Sequence, residues 1–230
     1  MSGGTAAALW AESADGAAAA LQHPFVRGLA DGTLPLPAFQ FYVAQDAVFL
    51  EGFARAYALA LAHSPDRASL LAFADLVAGV RDELRLHEGY ARRWGAPGEG
   101  VAPAAATRAY TDFLLGTAAL GGVARTCAAM TPCMRLYAHL GASLHEAGAG
   151  REGAYVEWVR TYADPGFAAL AAGLEDLLDR FAPRPGAVRA EYRRAMELEL
   201  AFFDAAWAVA VEQPAGQVRT KDERARSGRR

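Results

Sequence analysis

Long stretches in which apolar residues recur every three or four positions alternate with short clusters of proline and glycine, and this alternation constrains the fold more than any other feature. The breakers are His23-Pro24, Asp31-Gly32-Thr33-Leu34-Pro35, Ser64-Pro65-Asp66, the stretch Gly95 to Pro103, Gly121-Gly122, Gly148 to Gly153, Asp164-Pro165-Gly166 and Pro183-Arg184-Pro185-Gly186. Between them the spacing predicts helices over Thr5–Gln22, Phe25–Ala30, Pro37–His63, a third long helix running to Trp94, then Ala104–Leu120, Val123–Ala147, Ala154–Tyr162, a helix ending near Phe181 and a last one ending near Glu212. Period-two patterns of the kind that make strands are scarce. The expected architecture is all-α: one compact bundle of long helices with short connections, spanning residues 1–212. From Gln213 the chain turns polar, with six basic residues against Asp222 and Glu223, a composition that predicts a disordered tail over residues 213–230.

Within this pattern the informative positions are polar groups that fall on apolar stripes. Asp46 lies three, four and seven residues from Phe39, Tyr42, Val43, Phe49, Leu50 and Phe53, so it must project inward with them. Glu199 occupies the same place on the stripe of Tyr192, Ala195, Met196, Phe202, Phe203 and Ala206, whereas its neighbour Glu197 points to solvent. An unpaired inward carboxylate costs several kcal/mol, so each must be neutral, paired or facing a ligand cavity. Two structural carboxylates, each met by an arginine or a backbone group, form the plainer alternative to one shared polar cavity.

The segment Met130 to Tyr137 places Cys133 one helical turn before Tyr137 and directly after Pro132. A proline inside a helix removes a backbone N–H and crowds the preceding turn, which predicts a kink or a restart there. A lone cysteine reads first as a small buried hydrophobe. The tyrosine, the proline and the two inward carboxylates favour a nucleophile at Cys133, while Cys127, with no polar companion at helical spacing, keeps the plainer reading. The two lie on roughly opposite faces of a continuous helix and should not bridge. Tyr110 and Tyr162 are either core residues or flat walls for an aromatic ligand. Glu83 and His87, one turn apart, lack the spacing and the second pair that a di-iron carboxylate bundle needs, and are expected to hydrogen-bond each other. The remaining histidines are scattered, and no glycine-rich phosphate loop is present.

Composition narrows the compartment and the partners. A formal net charge of −3 gives no footprint for nucleic acid. The N-terminal residues have no basic region before an apolar run, no stretch approaches the length of a membrane span, and two cysteines make no disulfide framework. A cytoplasmic location is expected.

Taken together, His23-Pro24-Phe25, Asp31-Gly32-Thr33-Leu34-Pro35, Phe41-Tyr42-Val43 followed by Gln45-Asp46, Pro132-Cys133 with Tyr137, Thr161-Tyr162, and Glu199 with Phe202 resemble the TenA (thiaminase II) family, from about residue 8 to residue 211. The resemblance implies a haem-oxygenase-like helical bundle, a homotetramer that works without haem or metal, and hydrolysis of aminopyrimidines at the exocyclic methylene carbon. The substrates it implies are thiamin or, more typically, 4-amino-5-aminomethyl-2-methylpyrimidine, cleaved to the hydroxymethylpyrimidine in thiamin salvage. Carried over by motif, Cys133 is the nucleophile, Glu199 the acid/base, and Asp46 the group that holds the amino and ring-nitrogen edge. Tyr110, Tyr137 and Tyr162 line the pocket, with Phe49 and Phe202 beside them. One departure stands out: many members carry a tyrosine within three residues after the aspartate, where this chain reads Ala47-Val48-Phe49. A lost pocket hydroxyl shifts substrate choice. It also leaves open a non-catalytic binder or regulator holding a pyrimidine-like ligand. A third alternative, from a further class, is a haem- or metal-dependent oxidase on the same fold.

Overall fold

The computed structural model describes residues 3–98, 100–149 and 152–212; the tail expected to be disordered lies outside the described residues. The helices, in chain order, are α1 (Thr5–Glu12), α2 (Ala14–Gln22), α3 (Pro24–Asp31), α4 (Leu36–Ala62), α5 (Arg67–Trp94), α6 (Ala105–Leu120), α7 (Gly122–Glu146), α8 (Val156–Tyr162), α9 (Pro165–Phe181) and α10 (Arg189–Glu212), with a 3-10 turn at Pro185–Ala187. The all-α bundle is as the periodicity dictates, and the long helices start and stop within about two residues of the breakers, the usual fraying.

Local chemistry explains the ends. Pro24 opens α3 while the His23 ring accepts the Phe25 N–H at 3.1 Å, and Gly32 closes it in the left-handed conformation at φ 70°. Asp66 caps α5 by accepting the Ser69 N–H at 3.0 Å, and Gly95, at φ 66°, ends it. Two expectations need correction. The first helix is two: Ser13 donates its hydroxyl back to the Leu9 carbonyl at 2.9 Å, and this competing bond divides α1 from α2 inside an alanine-rich run whose periodicity gives no warning. Conversely, α7 does not restart at Pro132; it continues from Gly122 to Glu146 with that proline inside it.

Two helices organise the bundle. α4 packs against α5, α6 and α10, and α7 packs against α9, α10, α8 and α6. Their inner faces bury Phe53 and Tyr57 on α4 and Cys127, Met130 and Leu136 on α7. Cys127 and Cys133 are both free thiols, and Cys127 is fully buried among apolar residues. Where α7 passes α8 the backbones nearly touch: a Cβ on Gly141 would overlap the Tyr162 carbonyl group and come within 2.6 Å of the Ala163 nitrogen. Backbone cannot yield as a side chain can. Gly141→Ala is therefore expected to cost about 1–3 kcal/mol, read as a lower denaturation midpoint, and to push Tyr162 off its place.

Candidate active site

α4, α7 and α10 bring the inward carboxylates and the thiol together. Glu199, 2% exposed, accepts a hydrogen bond from the Tyr110 hydroxyl at 2.6 Å, and the Cys133 thiol lies close enough for the two groups to shift each other's pKa. Asp46, also buried, meets the His87 ring of α5, with Nε2 at 3.0 Å from Oδ2, a charge contact without the alignment of a hydrogen bond. Neither carboxylate is answered by an arginine in these contacts. Glu197 lies on the surface beside Arg193 and Arg194.

The expected Glu83–His87 bond is thus corrected: His87 turns to Asp46 across the α4–α5 interface, and Glu83 instead accepts the Tyr162 hydroxyl at 2.8 Å. Glu83 is the residue that sequence reasoning missed. Its signal was available, because it falls on the α5 stripe of Phe73, Leu76, Val80, His87 and Tyr90, the same test that singled out Asp46 and Glu199. Tyr42 was also passed over as core. Its hydroxyl accepts the Trp158 indole N–H at 3.1 Å and lies 3.4 Å from that of Tyr137, tying α4, α7 and α8 into one polar chain.

Asp46, Phe49, Glu83, Cys133, Tyr137 and Tyr162 border one small enclosed cavity of about 10 Å³, room for about one water molecule. Tyr110 and Phe202 stand outside its wall but against it, with ring centres 4.8 Å and 6.0 Å from that of Phe49. Tyr137 and Tyr162 meet edge to face at 4.7 Å. A larger cleft of about 560 Å³ lies next to the cavity and shares Glu83, Met134 and Phe167 with it. The small cavity has the thiol and Asp46 in its wall and the large cleft has neither; Glu199 lines neither space. Cys133 and Glu83 are only partly exposed, and what they expose meets these two spaces.

Electrostatics follow from this crowding. Burial pushes Glu199 up to about 7, against the Tyr110 hydrogen bond and the nearby Cys133 thiol, which pull it down. Burial likewise raises Glu83 to about 7, opposed by the His87 charge and the Tyr162 hydroxyl. Burial works against a charged His87, but Asp46 and Glu83 outweigh it, so its pKa is raised and the ring favours the imidazolium. For Cys133, burial and then the charges of Glu199, Glu83 and Asp46 all act in one direction, driving the thiol well above its ordinary value. The resting group is a neutral thiol next to a carboxyl that titrates near neutrality. Among the described residues, no three His, Cys, Asp or Glu side chains converge as a metal site, and no helix is long and apolar enough to cross a membrane.

Comparison with known proteins places the chain among relatives. The sequence profile of the TENA/THI-4/PQQC family matches residues 10–212. An aminopyrimidine aminohydrolase of Halalkalibacterium halodurans is 37% identical over 166 residues, which cover 70% of this chain and 74% of that one. The bifunctional TH2 protein, mitochondrial, of Arabidopsis thaliana is 35% identical over 210 residues, covering 79% of this chain but only 34% of that longer protein. Among solved structures, a TenA family transcription regulator from Silicibacter sp. TM1040 superposes with a TM-score of 0.81 at 30% identity, covering 89% of this chain and 96% of that one.

Proposed function

Because the chain belongs to the TENA/THI-4/PQQC family, we propose that it is an aminopyrimidine hydrolase of thiamin salvage. In this reading it cleaves 4-amino-5-aminomethyl-2-methylpyrimidine, and secondarily thiamin, to the hydroxymethylpyrimidine. Several relatives that carry the name aminopyrimidine aminohydrolase support the reaction class. One observation carries the mechanism: the Cys133 thiol, in the wall of a cavity it shares with Asp46, Phe49, Tyr137 and Tyr162, lies close enough to the buried Glu199 carboxyl for each to shift the other's pKa.

A flat aminopyrimidine suits such walls. Asp46, held by His87, accepts from the exocyclic amino group, and Tyr110 fixes Glu199. A neutral thiol cannot attack an aromatic ring unaided. The Glu199 carboxylate takes the thiol proton as the sulfur–carbon bond forms and delivers it to a ring nitrogen, which makes the ring accept the electron pair. The electron-rich adduct then expels the leaving group from the methylene carbon. Water adds to that carbon, the sulfur–carbon bond breaks, and Glu199 returns the proton to the thiol. The step order needs no metal or haem, and a cytoplasmic homo-oligomer is part of the same reading.

The cavity of about 10 Å³ is too small for a pyrimidine ring, so a wall must move on binding. Met134, unbranched and shared by cavity and cleft, is the side chain best suited to do so. Phe49 favours a second reading, a binder without turnover, since a hydroxyl found in many members is missing from the wall. Incubation with the aminomethylpyrimidine separates the two: stoichiometric ammonia and hydroxymethylpyrimidine support the hydrolase, whereas tight binding with no product over long incubation supports the binder.

A further inference from the structure

Glu83 is absent from the mechanism above, yet it is the carboxyl that borders both the inner cavity and the outer cleft. On the cavity side it stands with Cys133 and Asp46; on the cleft side it stands with Asp82, Arg160 and Asp164. Tyr162 holds one of its oxygens. Beside it lies a second unabsorbed group. The Tyr57 hydroxyl is fully buried, makes no hydrogen bond among the described residues, borders the cleft, and lies close enough to Glu83 and Cys133 to feel their charges. A buried hydroxyl without a partner is costly unless a ligand or water completes it.

A ring whose methylene carbon faces the space between Cys133 and Glu83 directs its leaving group toward the cleft, past these two side chains. We propose that Glu83, with the Tyr57 hydroxyl beside it, forms a leaving-group subsite that selects substrates departing as an amine. The inference rests on the hydrolase reading of this same site. An aminomethyl nitrogen carries N–H groups and, when protonated, a charge; the Glu83 carboxylate pairs with that ammonium and the Tyr57 oxygen accepts a further N–H. Once the cysteine adduct supplies the electron pair, the carbon–nitrogen bond breaks and neutral ammonia leaves with its bonding pair. The proton released when water adds to the methylene carbon converts that ammonia to ammonium. Without the carboxylate the amine is held less well and less fully protonated, and an unprotonated amine is a poor leaving group. A thiazole leaving group differs. In thiamin the charged ring nitrogen has no N–H, and the ring departs neutral without needing a proton.

Glu83→Gln keeps the size and the Tyr162 contact while removing the charge. The test measures kcat/KM for the aminomethylpyrimidine and for thiamin in the wild-type chain and in Glu83→Gln, together with calorimetric affinity for the hydroxymethylpyrimidine product, which carries no ammonium. The expected result is a fall of about a hundredfold in the amine-to-thiamin preference, with product affinity within about threefold of wild type. Tyr57→Phe, which cannot lose the charge, should lower the same preference by a smaller factor. If the wild type is active but the preference is unchanged, or both substrates and the product lose equally, the subsite is overturned while the hydrolase reading stands. If the wild type acts on neither substrate, the hydrolase reading itself falls, and the subsite with it.

Discussion

Cys133→Ala leaves a folded protein that still binds the pyrimidine product but turns over no aminopyrimidine, a loss on the order of 10⁴-fold or more, in line with removal of a nucleophile elsewhere. The size of the effect follows from the chemistry. Every later step depends on the sulfur–carbon bond, because only the adduct makes the ring electron-rich enough to expel the leaving group. Folding should survive because Cys133 exposes part of its side chain to the cavity and does not fill the core. The control is Cys127→Ala in the same helix: that thiol is fully buried among apolar neighbours, so the substitution should lower the denaturation midpoint and leave kcat unchanged. Rates near wild type in Cys133→Ala, measured as ammonia release, would contradict a covalent mechanism.

Glu199→Gln should lower kcat/KM by about 10²–10⁴-fold, the usual worth of a positioned acid/base. It should also change the pH profile, and the sign can be worked out. The competent state holds one proton on the Cys133–Glu199 pair, as thiol and carboxylate; adding a second proton leaves two neutral groups and no base. Because Glu199 titrates near 7, activity in the wild type falls as pH drops through that value. Glu83 titrates in the same region, so with an amine substrate the acid limb should be steeper than one proton. Glu199→Gln removes one proton from that steepness and Glu83→Gln removes the other. An unaltered acid limb in both variants would mean that neither carboxyl governs it.

How much of this was legible in the sequence depended on the range of the interactions. Helix ends were readable because proline, glycine and capping aspartate act on their own neighbours, as at Asp66 and Gly95. The break at Ser13 was not, because one side-chain bond outweighed an alanine run that looked continuous. Nor did Pro132 interrupt α7; its helix is buried on most sides, and packing holds the turn that the proline alone would weaken. For the site, stripe position placed Asp46 and Glu199 inward without saying what they would meet. Their partners, His87 and Tyr110, come from helices whose pairing with α4 and α10 no local pattern records. Glu83 satisfied the same stripe test but was read as the hydrogen-bond partner of His87, which hid it. The thiol's raised pKa was beyond sequence altogether, since it arises first from burial and then from three carboxyl groups on three different helices.

The most direct test of the central claim, that one cavity joins the thiol to its acid/base and to the carboxylate that grips the ring, is a crystal structure with the hydroxymethylpyrimidine bound. The account predicts the ring in the inner cavity, Met134 displaced, the amino group on Asp46, a ring nitrogen within hydrogen-bond reach of Glu199, and the Cys133 sulfur about 3–3.5 Å from a ring carbon. A pyrimidine lodged only in the outer cleft, with Cys133 and Glu199 out of its reach, would contradict it.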